Sequence, residues 1–186
     1  MRKVLAALFI SLDGVTESPE NWQFDNFDAD MMAAMQKHLA AEDTILLGRV
    51  TYQEWAPYWP NQPEEPYGRH INNTPKYVVS TTLDKVEWGK WDHINLIKGD
   101  LVEEVTRLKQ QAGKNIGVAG SPTLVRSLLQ EDLIDDLTLM IHPVIAGSGK
   151  RFLEDGSALK RLQLVDSEVT RTCVVNLTYR PRNGNA

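Results

Sequence analysis

A glycine-rich segment in the second half of the chain carries the residue types of an anion-binding turn. Residues 115–124 read NIGVAGSPTL, so an apolar stretch with Gly117 and Gly120 runs directly into Ser121 and Pro122. Serine is a favourable helix N-cap, and proline fits the first helical position because its missing N–H is not needed there. The spacing predicts a strand, a glycine turn and a helix. Unpaired N–H groups and the positive end of the helix dipole converge at such a turn, which suits a phosphate.

Two other predicted strand ends carry residues that suit phosphates. Residues 48–51 (GRVT) follow an apolar run and precede a short predicted helix, and Arg49 can form forked hydrogen bonds to a phosphate. Residues 80–82 (STT) close a third apolar run with three hydroxyls. Ligands of open α/β sheets bind at the carboxyl ends of strands, so the three segments together favour a dinucleotide with an additional phosphate. Each segment also has a plainer interpretation, as a tight turn, a surface salt-bridge residue or a loop.

Candidates for acid–base chemistry are fewer. Asp13 follows the first apolar run, where it could orient a substrate or relay a proton, and Asp28 stands at the start of a predicted helix. Helix capping also explains Asp28, because aspartate is favoured at helix N-termini. A third glycine cluster, residues 145–150 (IAGSGK), could line a substrate pocket or form a flexible turn, and Trp22 could wall a pocket for a planar ring. His142 precedes a proline and is interpreted as a hydrogen-bonded structural histidine.

The overall composition excludes several classes of protein. The 186 residues have a net charge of −5, so the chain lacks the positive field expected of a protein that binds nucleic acid or an anionic membrane. Its apolar runs are shorter than the roughly 20 residues of a membrane span. The four histidines show no metal-ligand spacing, so no metal site is expected. The single Cys173 excludes an internal disulfide and predicts a cytoplasmic location.

Apolar runs and helical periodicities alternate along the chain, which predicts an α/β sheet. Strands are expected at Val4–Leu12, Thr44–Leu47, Lys76–Ser80, Asn95–Ile97, Ile116–Ala119 and Asp135–Ala146, and helices at Asp28–Ala41, Thr51–Trp55, Leu101–Ala112 and Thr123–Gln130. Leu159–Glu168 and Thr172–Tyr179 are predicted to form an antiparallel C-terminal hairpin. The proline-rich stretch Pro57–Pro75 is expected to be irregular. No linker divides this pattern, so residues 1–186 are expected to form a single domain.

Five motifs, in this order, resemble the dihydrofolate reductase-like superfamily. They are SLDG at 11–14, DTILLGRVTY at 43–52, VSTT at 79–82, GVAGS at 117–121 and HPVIAGSG at 142–149. The closer resemblance is to the branch that contains the C-terminal reductase domain of the bifunctional riboflavin-biosynthesis deaminase–reductase and its stand-alone relatives. This resemblance implies a three-layer α/β/α fold with a mostly parallel, eight-stranded sheet, an antiparallel C-terminal hairpin and NADPH lying across the strand ends.

Site residues follow from the motifs and the resemblance together. Asp13 and Asp28 are the expected catalytic residues, and the substrate is expected to lie against Trp22, Tyr52, Ile145 and Gly147. The residues expected to contact NADPH are Gly14, Val15, Gly48, Arg49, Val50, Thr51, Ser80, Thr81, Gly117, Ala119, Gly120, Ser121, Thr123 and Leu124. The loop Glu17–Phe27 is expected to close over the site.

The sequence therefore predicts an NADPH-dependent reductase of a small planar or ribosylated heterocycle, with 5-amino-6-(5-phosphoribosylamino)uracil reduction in riboflavin biosynthesis as the reaction implied by the resemblance. Trp22 lacks the Leu-Pro that precedes the corresponding tryptophan of true dihydrofolate reductases, and residues 17–30 are acidic where the riboflavin reductase domain has basic residues. The alternative is a non-catalytic NADP(H)-binding sensor or scaffold. A homodimer through the C-terminal strands is expected on family grounds, with neither nucleic acid nor membrane as a partner.

Overall fold

The computed structural model describes residues 1–153 and 157–182. Within them the strands are β1 (Val4–Ser11), β2 (Glu42–Gly48), β3 (Lys76–Val79), β4 (Ile94–Ile97), β5 (Asn115–Val118), β6 (Asp136–His142), β7 (Leu162–Val169) and β8 (Val175–Pro181). The α-helices are α1 (Ala29–Ala40), α2 (Arg49–Trp55), α3 (Pro66–Asn73), α4 (Leu101–Gln110) and α5 (Pro122–Gln130). Short 3₁₀ helices occur at Pro19–Asn21, Phe24–Asn26 and Trp59–Asn61.

The strands form one eight-stranded sheet in the order β4-β3-β2-β5-β1-β6-β8-β7. The first six strands of that order are parallel, and β8 and β7 are antiparallel additions at one edge. The predicted fold class and the C-terminal hairpin are confirmed. Central strands such as β1 are apolar along their whole length because a parallel sheet is covered on both faces.

Helices cover both faces of the sheet. On one face, Val105 and Leu108 of α4 and Leu128 of α5 join a core with alternate residues of the central strands. On the other face, Ile71 of α3 and Met31 of α1 pack in two separate clusters. This arrangement leaves the carboxyl ends of the parallel strands at one edge of the sheet, between the helical layers.

The proline-rich stretch between β2 and β3 is more regular than predicted. It contains α3, because Pro66 stands at the start of that helix, where proline is tolerated, and Pro75 follows its end. The buried Lys76 then donates hydrogen bonds from Nζ to the carbonyl oxygens of Ile71 and Thr74, at 2.6 Å each, which satisfies the helix C-terminus. Burial lowers the pKa of Lys76 to about 8.

Three predicted strand boundaries are wrong by three residues or more, and one of them is the start of β7, at Leu162 rather than Leu159. The strand predicted to reach Ala146 ends at His142, because Pro143 lacks the N–H that a strand needs and the chain turns through Gly147 at a φ of 74°. The final strand begins at Val175 rather than Thr172, since a turn closed by Thr170 and Val174 occupies the preceding residues. No helix in the described ranges has both the length and the apolar character needed to cross a membrane.

Candidate functional site

The predicted ligand-binding segments meet at one edge of the sheet. Strands β3, β2, β5, β1 and β6 are consecutive neighbours, and their carboxyl ends lead into the segments that begin at Ser80, Gly48, Ala119, Leu12 and Pro143, respectively. Adjacent strands lie about 4.8 Å apart, so the row spans roughly 19 Å. The strand order, in which β5 lies between β2 and β1, places the five segments side by side.

Ser121 joins two of these segments directly. Its Oγ accepts a hydrogen bond from the Gly48 N–H at 2.8 Å and donates to Thr51 Oγ1 at 2.8 Å. Both hydroxyls are buried, so the β2–α2 turn and the β5–α5 turn form one connected unit. A Cβ on Gly48 would lie 3.1 Å from Ser121 Oγ, and one on Gly120 would lie 3.2 Å from Thr51 Cγ2. The two glycines therefore permit the close approach of the turns.

The β5–α5 turn presents free backbone donors. Gly120 and Ser121 both have left-handed backbone conformations, with φ of 54° and 56°. The backbone N–H groups of Gly120, Thr123 and Leu124 have no hydrogen-bond acceptor within the described residues. Ser121 occupies the N-cap position as predicted, but its side chain makes no capping bond because its hydroxyl serves the neighbouring turn. These donors fit the phosphate that the sequence predicts at this helix N-terminus.

Gly117 has a different role from Gly120. It lies inside β5, where a Cβ would stand 1.6 Å from Glu42 Oε2. The Glu42 side chain is buried and hydrogen-bonded to Nε2 of His70 at 2.9 Å. The close approach that Gly117 permits is therefore that of a protein carboxylate. Ala119, at the end of the same strand, packs against the core cluster of β2 and α3.

Arg49 stands at the beginning of α2 with its side chain exposed. Its Nη1 donates to Gln53 Oε1 at 2.7 Å, and no carboxylate within the described residues forms an ion pair with it. The neighbouring Val50 is exposed, whereas Leu124 of the adjacent turn faces the core. An exposed guanidinium beside the unpaired donors of the β5–α5 turn is suited to bind an anion.

The hydroxyls after β3 differ in their exposure to solvent. Ser80 is buried, and its Oγ accepts hydrogen bonds from the backbone N–H groups of Thr82 and Leu83 at 3.2 and 3.1 Å. Thr81 is exposed. Ser80 therefore shapes the turn, and Thr81 is the residue of this segment whose side chain is free to meet a ligand.

Asp13 fastens the loop that follows β6 to the end of β1. Its carboxylate accepts hydrogen bonds from Ser11 Oγ at 2.7 Å and from the N–H groups of Ala146 and Gly147 at 2.9 Å each. These donors, led by Ser11, lower the pKa of Asp13 to about 2. An ionised carboxylate at neutral pH can orient groups but cannot supply a proton. Gly14 follows with a φ of 83°, and Val15 is buried beneath the loop.

Asp28 is the N-cap of α1. Its Oδ1 accepts the N–H groups of Asp30 and Met31 at 3.0 and 2.9 Å, and its Oδ2 accepts a hydrogen bond from Thr172 Oγ1 at 3.2 Å. The pKa of Asp28 is lowered, chiefly by the Met31 N–H. Capping accounts for the two N–H contacts, and the Thr172 contact joins the beginning of α1 to the turn before β8.

The residues predicted for the substrate do not form one group. Trp22 packs its ring against that of His142, with 5.4 Å between centroids, beside the end of β1. Gly147 is at the same place, bonded to Asp13. Ile145 is exposed on that loop. Tyr52 lies apart, because its hydroxyl is bonded to the backbone of Glu87 beyond β3.

The interpretation of His142 from the sequence is wrong. Both of its ring nitrogens are buried and lack a hydrogen-bond partner in the described structure, so it is not a hydrogen-bonded structural histidine. Burial lowers its pKa, which leaves the imidazole neutral at neutral pH. The signal available in the sequence was its position at a strand end between apolar residues and Pro143.

Comparison with known protein families shows to which family the chain belongs. The family model of the RibD C-terminal domain matches residues 2–175, nearly the whole chain. The chain belongs to the RibD C-terminal domain family. The residues of this RibD-type domain that carry the five motifs all lie within the match, and all five motifs border the row of strand ends.

Relatives and solved structures agree with that family. The chain is 29% identical over 182 residues to the uncharacterized protein YyaP of Bacillus subtilis (strain 168), covering 96% of this chain and 94% of YyaP. A candidate riboflavin biosynthesis protein from Shewanella sp. PV-4 is 23% identical, with a TM-score of 0.76 and coverage of 97% and 99% of the two chains. Enterococcus faecalis dihydrofolate reductase, solved with NADP(H), is 16% identical, with a TM-score of 0.62 and coverage of 97% of each chain. The dihydrofolate reductase-like architecture of this RibD-type domain is thus shown.

Proposed function

We propose that the protein is an NADPH-dependent reductase of a small planar or ribosylated heterocycle. The observation that carries the proposal is the row of five strand ends, in which Ser121 joins two turns beside Arg49 and the unpaired N–H groups of the β5–α5 turn. Membership of the RibD C-terminal domain family and the NADP(H) bound by a protein of the same fold support this choice of cofactor.

The chain's own residues fit the phosphates of such a cofactor. The N–H groups of Gly120, Thr123 and Leu124 would hold the pyrophosphate, and Arg49 and Thr81 would meet the remaining phosphate. The nicotinamide would then lie toward β1, where the Asp13 carboxylate fixes the loop that faces it. When bound, NADPH supplies the hydride, and the protein supplies binding and orientation. Within this class, we propose the reduction of 5-amino-6-(5-phosphoribosylamino)uracil in riboflavin biosynthesis as the reaction. We further propose that the protein is a homodimer in the cytoplasm.

Titration of the protein with NADPH and NADH tests the cofactor. We expect NADPH to bind more tightly, and Arg49→Ala to raise its Kd by about 10- to 150-fold, because a charge-assisted hydrogen bond contributes about 1.5–3 kcal/mol. Arg107→Ala is the matched control, since Arg107 is an exposed arginine already paired with Glu104, and it should change the Kd less than twofold. A rise of less than threefold in Arg49→Ala would show that Arg49 does not bind a cofactor phosphate.

A non-catalytic NADP(H)-binding protein is the second candidate. It is favoured by one observation: Asp13 and Asp28, the two expected catalytic acids, both have lowered pKa values and satisfied hydrogen bonds. Oxidation of NADPH, followed at 340 nm with a panel of pyrimidine and pteridine acceptors, separates the candidates. Turnover of any acceptor supports the reductase, whereas tight NADPH binding without turnover supports the sensor.

A further inference from the structure

His142 is fully buried at the carboxyl end of β6, yet its imidazole makes no hydrogen bond within the described residues. A neutral imidazole carries one donor and one acceptor. Burying both without partners forfeits their interaction with water and gains nothing in return, so such a group requires an explanation. Ser11, the β1 partner of His142, is already engaged, because its hydroxyl donates to Asp13 Oδ1 and accepts from the Val15 N–H.

Two aromatic rings enclose the imidazole. Phe9 lies beneath it at 5.6 Å between centroids, and Trp22 meets it at 5.4 Å, both in edge-to-face geometry. Trp22 belongs to residues 17–27, which we call the cover segment. The neighbouring Gln23 and the preceding Thr16 each hold a buried side-chain oxygen with no partner in the part of the chain described. One unsatisfied oxygen therefore lies beside Trp22 in the cover segment, and another lies immediately before the segment begins.

The cover segment is attached at its ends. Glu17 accepts a hydrogen bond from the Lys150 N–H at 3.1 Å, and Asn26 exchanges two hydrogen bonds with Thr172, at 2.8 and 3.0 Å. Between them, the hydrogen bonds of residues 18–25 that the structure describes are all made within the segment itself. The ring contact of Trp22 with His142 joins the middle of the segment to the sheet. Residues 18–25 can thus move away from His142 without breaking a described hydrogen bond to the rest of the domain, while both ends of the cover segment stay attached.

We propose that His142 is a substrate-contacting residue that recognises an uncharged N–H or C=O on the edge of a planar heterocycle, and that Trp22 occupies this place until the heterocycle displaces it. The inference rests on the proposed function for the location of the substrate beside β1. The inference adds His142 as the residue that selects the substrate, and it adds the uncharged N–H or C=O as the group that His142 recognises. The ring of Phe9, which remains when Trp22 is displaced, suits a flat ring, and the neutral imidazole suits an edge without charge.

The binding of 5,6-diaminouracil to protein saturated with NADP⁺ tests the role of His142. We expect His142→Phe to raise the Kd of this probe at least tenfold by calorimetry, because a buried ring edge is then left unpaired. The Kd of NADPH should change less than twofold. His142→Phe keeps an aromatic ring and removes both unsatisfied nitrogens, so its melting temperature should equal or exceed that of the wild type.

His38→Phe is the matched control. His38 is another histidine with a buried, unpartnered Nε2, but it lies in the last turn of α1, on the side of the amino ends of β2 and β6. It should leave the Kd of the probe within twofold of the wild-type value. Equal probe binding by His142→Phe and the wild type, or no probe binding by a wild type that holds NADP⁺, would overturn the inference. Binding of the probe that depends on His142 in a protein that does not bind NADP(H) would instead overturn the proposed cofactor and support the role of His142.

Acrylamide quenching tests the displacement of Trp22. The part of the fluorescence that is lost in Trp22→Phe should become more accessible to acrylamide when the probe binds to the wild type. Unchanged accessibility at saturating probe would contradict the displacement of Trp22.

Discussion

Four polar groups surround the carboxylate of Asp13: the Ser11 hydroxyl, the N–H groups of Ala146 and Gly147, and, at 3.7 Å, the Arg151 guanidinium. At neutral pH this carboxylate is a fixed negative acceptor that ties two strand ends together. The His142 imidazole differs from this carboxylate in two ways, because it is neutral and its two nitrogens have no hydrogen-bond partner in the described structure. The loop held by Asp13 and the imidazole covered by Trp22 therefore lie at the same ends of β1 and β6.

The ionisation of Asp13 predicts a pH dependence of stability. Its pKa is about 2 in the native protein, against 3.8 for an unperturbed aspartate, so the native state binds the proton less readily than the unfolded state. The stabilisation by Asp13 is thus fully present above pH ~4 and is lost as the pH falls from about 4 to about 2. We expect Asp13→Asn to lower the melting temperature at pH 7, and this difference from the wild type to shrink in that acidic window.

Thermal unfolding at several pH values, followed by circular dichroism, measures this difference. Asp166→Asn is the control, because Asp166 is exposed and its pair with Lys37 is long, at 3.9 Å. It should change the melting temperature little at any pH. A difference for Asp13→Asn that persists unchanged at pH 3 would contradict the lowered pKa.

At the scale of elements, the approach of neighbouring strand ends depends on a few small residues. Ser121 connects α5 to the β2–α2 turn, and Gly48 and Gly120 give the two turns room to meet. The sequence predicted each turn separately from glycine, proline and capping preferences. The hydrogen bonds between them could not be predicted, because they join residues 73 and 70 positions apart in the chain.

Gly117 provides an element-scale prediction. Gly117→Ala should lower the free energy of unfolding by about 2–3 kcal/mol, because the new Cβ would overlap the buried Glu42 carboxylate and disturb its bond to His70. The NADPH Kd of the folded variant should stay within twofold of the wild-type value, since the clash involves protein atoms. Urea unfolding and NADPH titration measure the two effects.

Gly99→Ala is the control for that substitution. Gly99 is exposed, and a Cβ there would meet no atom within 4 Å. Its free energy of unfolding should change by no more than about 1 kcal/mol. An equally small effect in Gly117→Ala would show that Glu42 can move aside, and a selective loss of NADPH affinity would return Gly117 to the cofactor site.

At the scale of the whole molecule, β7 is the exposed edge of the sheet. It pairs with β8 on one side, and its other side has no strand partner in the described structure. Leu164, Val165 and Val169 on this strand are exposed. An edge strand that exposes apolar side chains can pair with another chain through its free backbone groups, so we propose that the homodimer expected through the C-terminal strands forms along β7.

Sedimentation velocity tests the homodimer. We expect the wild type to sediment as a dimer, and Val169→Lys to shift it to the monomer, because a lysine on β7 places charge in the apolar interface. Val102→Lys is the control, since Val102 is an exposed valine on α4, and it should leave the dimer intact. A wild type that is monomeric at micromolar concentration would refute the dimer.

The sequence by itself determined the elements and the types of residue at the strand ends. Alternating apolar runs predicted the strands, and glycine and proline marked the turns, because these preferences act locally along the chain. Local preferences also missed an element. Pro57–Pro75 was expected to be irregular, but Pro66 begins the helix α3. The resemblance carried by the five motifs supplied the family, which the match over residues 2–175 confirms.

Only the tertiary structure decided how those residues are used. Asp28 caps a helix, Gly117 makes room for Glu42, and His142 is left without partners, although each was open to another interpretation in the sequence. The physical reason is that hydrogen-bond satisfaction and burial depend on neighbours supplied by distant parts of the chain. The order of the strands, which no local preference encodes, brings those parts together.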